Sequence, residues 1–295
     1  MSAPHRSGYV ALVGRPSVGK SSLLNALLGQ KIAITADRKQ TTRNRILGVL
    51  TRPEGQIVFL DTPGYHSPRH SLGESMVKAS RESLRDADVA LLVIAPDSIP
   101  EEDKPLLKLF FSLKVPVILL LNKSDSAKKA EMEELLLLYR GTFRFAAEAM
   151  VSARRKSGLD EFLDLVLSML PEGPPYYDED TLTDQPERLM AAEIVREKVI
   201  SNTAEEVPHS VAVEVTGWKE REDGLIEISA AVYVERDGQK GIIIGQGGRK
   251  LKEIGTQARK EIETLTGHRV FLELWVKVRK GWRNNPRMLK ELGYL

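Results

Sequence analysis

The chain has 295 residues, 42% of them hydrophobic and 28% charged, with a net charge of +2 and no cysteine. This length favours two domains, and the composition excludes a disordered or fibrous chain. The lack of cysteine excludes disulfides, thiolate metal sites and cysteine nucleophiles, no apolar run reaches the ~20 residues that span a bilayer, and residues 1–8 lack the apolar stretch of a secretory leader.

Residues 9–13 form an apolar run and predict the first strand. Gly14-Arg15-Pro16-Ser17-Val18-Gly19-Lys20-Ser21 follows and leads into a helical pattern over 21–28. The octapeptide has the G-x-x-x-x-G-K-[ST] spacing of a phosphate loop, in the strand–loop–helix setting that such a loop requires. Glycines let backbone N–H groups turn inward around phosphate oxygens, and the helix N-terminus favours the anion. Gly14, Arg15, Ser17, Val18, Gly19, Lys20, Ser21 and Ser22 are therefore expected to bind nucleotide. Lys20 reaches the β- and γ-phosphates, and the Ser21 hydroxyl ligates Mg²⁺.

Gln40-Thr41-Thr42-Arg43 lies between this helix and the next predicted strand. A threonine here can close over Mg²⁺ and the γ-phosphate; Thr42 is favoured over Thr41, and a plain surface loop is the alternative. The strand at 57–60 ends in Asp61-Thr62-Pro63-Gly64. Asp61 is placed to hold Mg²⁺, and the Gly64 amide to sense the γ-phosphate. Lys20, Thr42 and Gly64 are the expected catalytic set. Many GTPases carry a water-orienting glutamine directly after Asp-x-x-Gly; here the residue is Tyr65. His66 and His70 lie nearby but read as surface residues. Slow intrinsic turnover, raised by a partner, is the expectation.

Helices at 73–85 and 104–113 alternate with apolar strands at 89–94 and 115–121. Asn122-Lys123-Ser124-Asp125 ends the last of these. The Asp125 carboxylate can accept from guanine N1–H and N2–H₂, a donor pair that adenine lacks, so it selects GTP over ATP. Lys123 lies along the base, and Asn122 braces the loop. Ser152 and Ala153 follow another short strand, where a backbone amide can meet guanine O6. A closing helix at 159–170 completes an α/β doubly wound, mostly parallel domain over 1–172.

Three prolines and an acidic cluster over 171–180 mark 173–185 as a linker. The domain at 186–295 reads as α-β-β-α-β: a helix at 189–200, alternation near 211–215, 226–234 and 270–278, and a helix at about 249–266. Ile244-Gly245-Gln246-Gly247-Gly248-Arg249-Lys250 carries a G-x-x-G loop opening that last helix, as in modules that clamp about four nucleotides. The block from 238 to 295 holds 13 basic and 5 acidic residues, a net +8 in a chain whose total is +2. Such asymmetry fits a nucleic-acid partner or a solvated basic surface. Lys280, Trp282 and Arg283 suit phosphate contact and base stacking, or equally a packed C-terminal turn.

The ordered set of Gly14–Ser21, Gln40–Arg43, Asp61–Tyr65, Asn122–Asp125, Ser152-Ala153, Pro171–Pro174, Glu206–His209, Gly245–Gly248 and Leu274–Val278 resembles the Era family of bacterial GTPases from about Tyr9 to Leu295. The GTPase motifs are shared with many relatives, and the following KH motif makes the resemblance specific. It implies a P-loop GTPase domain followed by a smaller α+β type II KH domain. It also implies a GTP/GDP switch with Mg²⁺, and binding to the 3′ end of small-subunit ribosomal RNA in 30S assembly. A monomer in the cytoplasm, peripherally associated with the inner membrane, is expected on the same ground. A bulky residue at Tyr65 is a trait of that family. The family usually has asparagine where Ser17 stands, a residue linked to a K⁺ ion that assists hydrolysis, so K⁺ stimulation is expected to be weak here. Asp37-Arg38-Lys39 also departs from the family wording. The rival reading is an RNA-binding assembly factor that holds GTP mainly as a structural ligand. A phosphotransferase is disfavoured by Asn122–Asp125.

Overall fold

The computed structural model describes residues 4–36, 41–65, 68, 70–204 and 207–294. Asp37–Gln40, His66 and Glu206, singled out in the sequence, lie outside the described residues. The chain divides into two compact units. One comprises Met1–Ala33, Thr42–Pro68 and Met76–Asp184, and the other Ile34–Thr41, Arg69–Ser75 and Gln185–Leu295.

The first unit runs β1 (Arg6–Val13), α1 (Lys20–Leu28), β2 (Ile46–Arg52), β3 (Gly55–Asp61), α2 (Ser71–Asp86), β4 (Val89–Ile94), α3 (Pro100–Phe110), β5 (Val117–Leu121), α4 (Lys129–Arg140), β6 (Ala147–Met150) and α5 (Leu159–Met169). Its six strands lie in the order β2-β3-β1-β4-β5-β6. All neighbours are parallel except β2, which runs antiparallel to β3. Helices cover both faces of such a sheet, so its strands read as unbroken apolar runs; Val89–Ile94 and Val117–Leu121 are buried throughout. The strand β2 escapes the sequence reading because Gly48 and the polar Thr51 and Arg52 interrupt its apolar run. Gly48 lets α1 pack close: a Cβ there would come within 2.7 Å of Leu28 Cδ1 and 2.9 Å of Ile32 Cδ1, so those side chains would have to shift. The helix α4 was also not anticipated; it buries Met132, Leu135, Leu136 and Tyr139.

Where the sequence predicts a linker over 173–185, residues 173–184 pack on the first unit. Gln56, fully buried near the start of β3, holds this segment with its amide. Its Oε1 accepts from the N–H groups of Tyr176 (2.7 Å) and Tyr177 (3.0 Å), and its Nε2 donates to the Tyr177 carbonyl (2.9 Å). The Tyr176 ring stacks on Tyr9, the Leu182 carbonyl accepts from Val49 N–H at 2.8 Å, and Thr183 Oγ1 donates to the Leu47 carbonyl at 2.6 Å.

The second unit contains α6 (Glu187–Ser201), α7 (Val207–Ser210), β7 (Ala212–Glu220), β8 (Leu225–Val234), α8 (Asp237–Ile244), α9 (Arg249–Thr266), β9 (Arg269–Val278) and α10 (Pro286–Glu291). Its sheet has the order β7-β8-β9, with β7 antiparallel and β9 parallel to β8. Alternate residues Ile226, Ile228, Ala230, Val232 and Val234 of β8 pack against Ile254, Ala258 and Ile262 of α9. The short helix α8 was not anticipated. It places Ile243 in this core and leaves Ile242 exposed. Trp282 is fully buried; its Nε1 donates to the Ser210 carbonyl at 2.9 Å and its ring lies against Tyr294. The packed-turn reading of the tail is therefore the right one for Trp282.

Candidate nucleotide site and nucleic-acid surface

The loop between β1 and α1 is shaped by backbone that ordinary residues avoid. Gly14, Ser17 and Gly19 have φ of 158°, 69° and 93°. A Cβ on Gly14 would lie 2.3 Å from the Val93 carbonyl oxygen, and one on Gly19 2.5 Å from Asn122 Nδ2. Ser17 holds the left-handed conformation without being glycine, at a cost of order 1 kcal/mol. Lys123 Nζ donates to the Ser17 carbonyl at 2.7 Å and braces that turn.

Lys20 is buried and donates to the carbonyls of Gly14 and Arg15, each at 3.0 Å. The Ser21 hydroxyl donates to Asp61 Oδ2 at 2.7 Å. The Thr42 hydroxyl lies 2.7 Å from Ser21 Oγ and donates to it, since Ser21 has spent its one proton. The second Asp61 oxygen is buried without a hydrogen-bond partner among the described residues. Such an orphaned oxygen beside two hydroxyls suits a hard cation that takes one carboxylate and completes its shell with phosphate and water. Ser21, Asp61 and Thr42 thus fit Mg²⁺. Thr42, which the sequence favours over Thr41, has its hydroxyl in this cluster, while the Thr41 carbonyl accepts from Arg196 Nη2.

Burial pushes the Asp61 carboxyl up to about 6, partly offset by Lys20, Ser21, Thr62 and Thr42. Burial pulls the Lys20 ammonium down to about 8, partly offset by Asp61 and Asp103. The contribution of Asp61 to stability is complete below the ordinary carboxylate value and is lost as pH rises through about 6. That of Lys20 is complete above its ordinary value and is lost as pH falls through about 8. Nucleotide-free protein near neutrality therefore carries two buried charges at a cost. Asp61→Asn is expected to be the more stable protein at pH 7.5 without nucleotide, by on the order of 2 kcal/mol. The gap should close between about pH 6 and pH 4. Thermal melts of both proteins across that range check it, and parallel curves would refute it.

The end of β5 builds the base-reading side. Asn122 Nδ2 donates to the carbonyls of Val18 (3.1 Å) and Gly19 (3.3 Å), and its Oδ1 accepts from Ala153 N–H (3.2 Å). One carboxamide thereby ties the phosphate loop to the loop after β6. Ser152 Oγ donates to Asp125 Oδ1 at 2.5 Å, which holds the Asp125 carboxyl below its ordinary range. These bonds bring Gly14, Arg15, Ser17, Val18, Gly19, Lys20, Ser21, Thr42, Asp61, Asn122, Lys123, Asp125, Ser152 and Ala153 together, whereas Ser22 is exposed on α1. Gly64 approaches the loop so closely that a Cβ would meet Pro16 Cα at 2.7 Å, and Tyr65 N–H donates to the Gly14 carbonyl at 3.0 Å. The Tyr65 side chain is partly buried against the core. His70 accepts from Gly73 N–H at 3.0 Å and caps α2.

The sequence reading missed the support behind the phosphate loop. Arg15 pairs with Glu102, and its Nε lies 3.5 Å from Oδ1 of the buried Asp103. The buried Tyr139 hydroxyl donates to the other Asp103 oxygen. Four residues on α3, α4 and the loop carry no local pattern that would reveal this network.

In the second unit, Gly245, Gly247 and Gly248 all have positive φ, 68°, 59° and 78°, so the G-x-x-G turn requires its glycines. Arg249 Nη2 donates to Gln246 Oε1 at 2.9 Å and stiffens the loop. Beside it lies a groove of about 490 Å³ lined by Gly248, Leu251, Lys252, Arg259, Phe271 and Leu274 among others. Phe271 and Trp275 are 51% and 60% exposed on β9, which gives a surface able to stack bases. The strand alternation at 270–278 was visible in the sequence, but its outward aromatics were not singled out. Lys250 is half-buried beside the loop and Lys280 is exposed, whereas Arg283 is forked onto Glu235, its Nε at 3.0 Å, and is engaged in structure.

Residues 9–123 match the family described as 50S ribosome-binding GTPase, and residues 206–283 match the KH domain family. The chain is 48% identical over 291 residues to GTPase Era of Ruminiclostridium cellulolyticum, covering 98% of both. A variant of Aquifex aeolicus Era bound to GDP and AlF₄⁻ superposes with a TM-score of 0.94 at 42% identity, covering 98% of this chain and 99% of that one. An Era in complex with MgGDPNP and nucleotides 1506–1542 of 16S ribosomal RNA matches with the same score, identity and coverage.

Proposed function

Because this chain belongs to the Era family of GTPases, we propose that its GTP cycle governs binding to the 3′ region of small-subunit ribosomal RNA during 30S assembly. The observation that carries this reading is the presence, in one chain, of both a complete guanine-nucleotide constellation and a glycine-turned basic loop with a groove beside it. A relative alike over 98% of the chain is bound at once to MgGDPNP and to such an RNA.

The protein hydrolyses GTP, and its own residues divide the work. The loop amides and Lys20 bind and orient the phosphates, and Lys20 places its charge where negative charge develops on the transferred group. Ser21, Asp61 and Thr42 would hold Mg²⁺, which would neutralise part of the phosphate charge. Asp125 and Ala153 orient the base. Among the described residues near the site, none is placed as a general base. Intrinsic turnover is therefore slow, and the missing water-positioning group is a role for the RNA or the subunit. The test is single-turnover hydrolysis with and without 30S subunits. Stimulation of about tenfold or more supports the reading. No hydrolysis in either condition favours the rival in which GTP is a structural ligand. Membership of the Era family is the sole ground on which we propose a cytoplasmic protein with peripheral contact at the inner membrane.

Weak K⁺ stimulation is proposed on Ser17. Its short hydroxyl replaces a carboxamide at the mouth of the loop, and its carbonyl is already engaged by Lys123. Turnover in K⁺ and Na⁺ buffers is expected to agree closely, and Ser17→Asn to open a gap of about tenfold. A large K⁺ effect in the unaltered protein would sink the idea.

A further inference from the structure

We infer that Asp103 of α3 is a positioning residue for the nucleotide site: seated by Tyr139, it holds the Arg15 guanidinium and so sets the first half of the phosphate loop for its anion. The inference rests on the nucleotide site alone and is independent of any coupling to RNA.

The two halves of the loop are held differently. From the end of β5, Asn122 and Lys123 donate to the carbonyls of Ser17, Val18 and Gly19. The first half begins with Gly14 and Arg15, whose carbonyls both accept from Lys20 Nζ at 3.0 Å. The Arg15 side chain turns to α3, where it pairs with Glu102 and brings Nε to 3.5 Å from Asp103 Oδ1. Both of these atoms are buried, and neither has a hydrogen-bond partner among the described residues. They face each other as an ion pair. Asp103 Oδ2 accepts from the Tyr139 hydroxyl, which is also hydrogen-bonded to the Ser98 side chain. Ser98 Oγ in turn accepts from Ala95 N–H at 2.9 Å, just after β4. A continuous line of side chains thus ties the start of the loop to α4 and to the end of β4.

Stability does not account for the carboxylate. Asp103 is 2% exposed. Burial pushes its carboxyl up, partly offset by Tyr139, Arg15 and Lys20. A carboxyl raised in this way contributes stability at low pH and loses it as pH rises, so at neutral pH the buried charge is a cost. Attraction for the ligand does not account for it either. A negative charge beside the loop opposes an incoming phosphate, so electrostatics alone predicts that its removal tightens nucleotide binding. What the carboxylate supplies is a fixed acceptor for Arg15. A loop held before binding has less freedom to lose when phosphate arrives, which strengthens binding.

The test uses the full chain and measures the dissociation constant of GDP at fixed Mg²⁺, with thermal melts of the nucleotide-free proteins at pH 7.5 alongside. Asp103→Asn keeps the shape and removes the charge. It is expected to melt no lower than wild type and yet to bind GDP about tenfold more weakly. Tyr139→Phe leaves every charge in place and should weaken GDP about threefold. Arg15→Gln should match Asp103→Asn, and the double variant should be no weaker than Arg15→Gln alone, because the two residues act as one unit. If folded Asp103→Asn binds GDP as tightly as wild type or tighter, the inference is overturned: the charge then acts only through its field, or Arg15 is itself a phosphate ligand that Asp103 restrains. Wild-type affinity in Tyr139→Phe would be equally fatal, and so would losses that multiply in the double variant. Asp125→Asn is the reference. If it weakens GDP, these outcomes bear on the inference alone; if it leaves GDP unchanged, the reading of the site fails and the inference falls with it.

Discussion

Asp125→Asn is expected to weaken GTP binding by about 10²- to 10⁴-fold and to let xanthosine triphosphate bind in its place. A carboxylate accepting from guanine N1–H and N2–H₂ makes two charge-assisted hydrogen bonds, each worth roughly 1.5–3 kcal/mol, and every 1.4 kcal/mol is about tenfold. The structure keeps this carboxylate ready. Ser152 takes one lone pair of Oδ1 at 2.5 Å and holds the group ionised, so the remaining lone pairs face outward for the base. Asparagine presents an N–H₂ where guanine also presents one, and the two repel. Xanthine carries a carbonyl there, which accepts from that amide. Titration of both nucleotides against the two proteins decides the point. A variant that keeps GTP within about tenfold and gains nothing for XTP would remove Asp125 from base recognition.

Lys20→Ala is expected to reduce single-turnover GTP hydrolysis by about 10³-fold or more, with nucleotide affinity falling as well. Removing one preorganised donor to a developing anion costs about 10²–10³ in rate. Here the donor is also a full charge, buried and held on the Gly14 and Arg15 carbonyls until phosphate replaces them. The loss also removes the cation that partly offsets the burial of Asp61. Lys20→Met keeps the stem and separates charge from packing. The two variants should fall together. If the methionine variant hydrolyses GTP within about tenfold of wild type, the charge of Lys20 is not what stabilises the transition state.

The nucleotide site was legible because its chemistry is contiguous. A phosphate loop places eight successive residues around one anion, and Asn122–Asp125 reads one base from one turn. Such sites survive in the sequence as short strings in a fixed order. What was not legible is built from residues far apart with no string to mark them. Arg15, Asp103 and Tyr139 meet only because α3 and α4 pack side by side against the sheet. The helix near 189–200 was visible, but nothing in its pattern tells that Arg196 faces inward. Charged residues are assigned to solvent by default, and only a partner such as the Thr41 carbonyl reverses that. Trp282 misled for the opposite reason: the basic residues around it suggested exposure, while Ser210 offers its indole a buried acceptor. The prolines at 171–175 signalled a boundary, yet Gln56 fixes the segment that follows them to the first unit.

The chain crosses between the two units at 33/34, 41/42, 68/69, 75/76 and 184/185. An excised fragment 1–184 would therefore carry two stretches whose folding partners have been cut away. Its threonine loop would be unanchored, and its kinetics would describe a different molecule from the whole protein. The complementary fragment 185–295 would lack two pieces of its own structure. Mixing the fragments is a complementation experiment, in which each supplies segments that the other needs to finish folding, and recovery of activity would measure how far those borrowed segments matter.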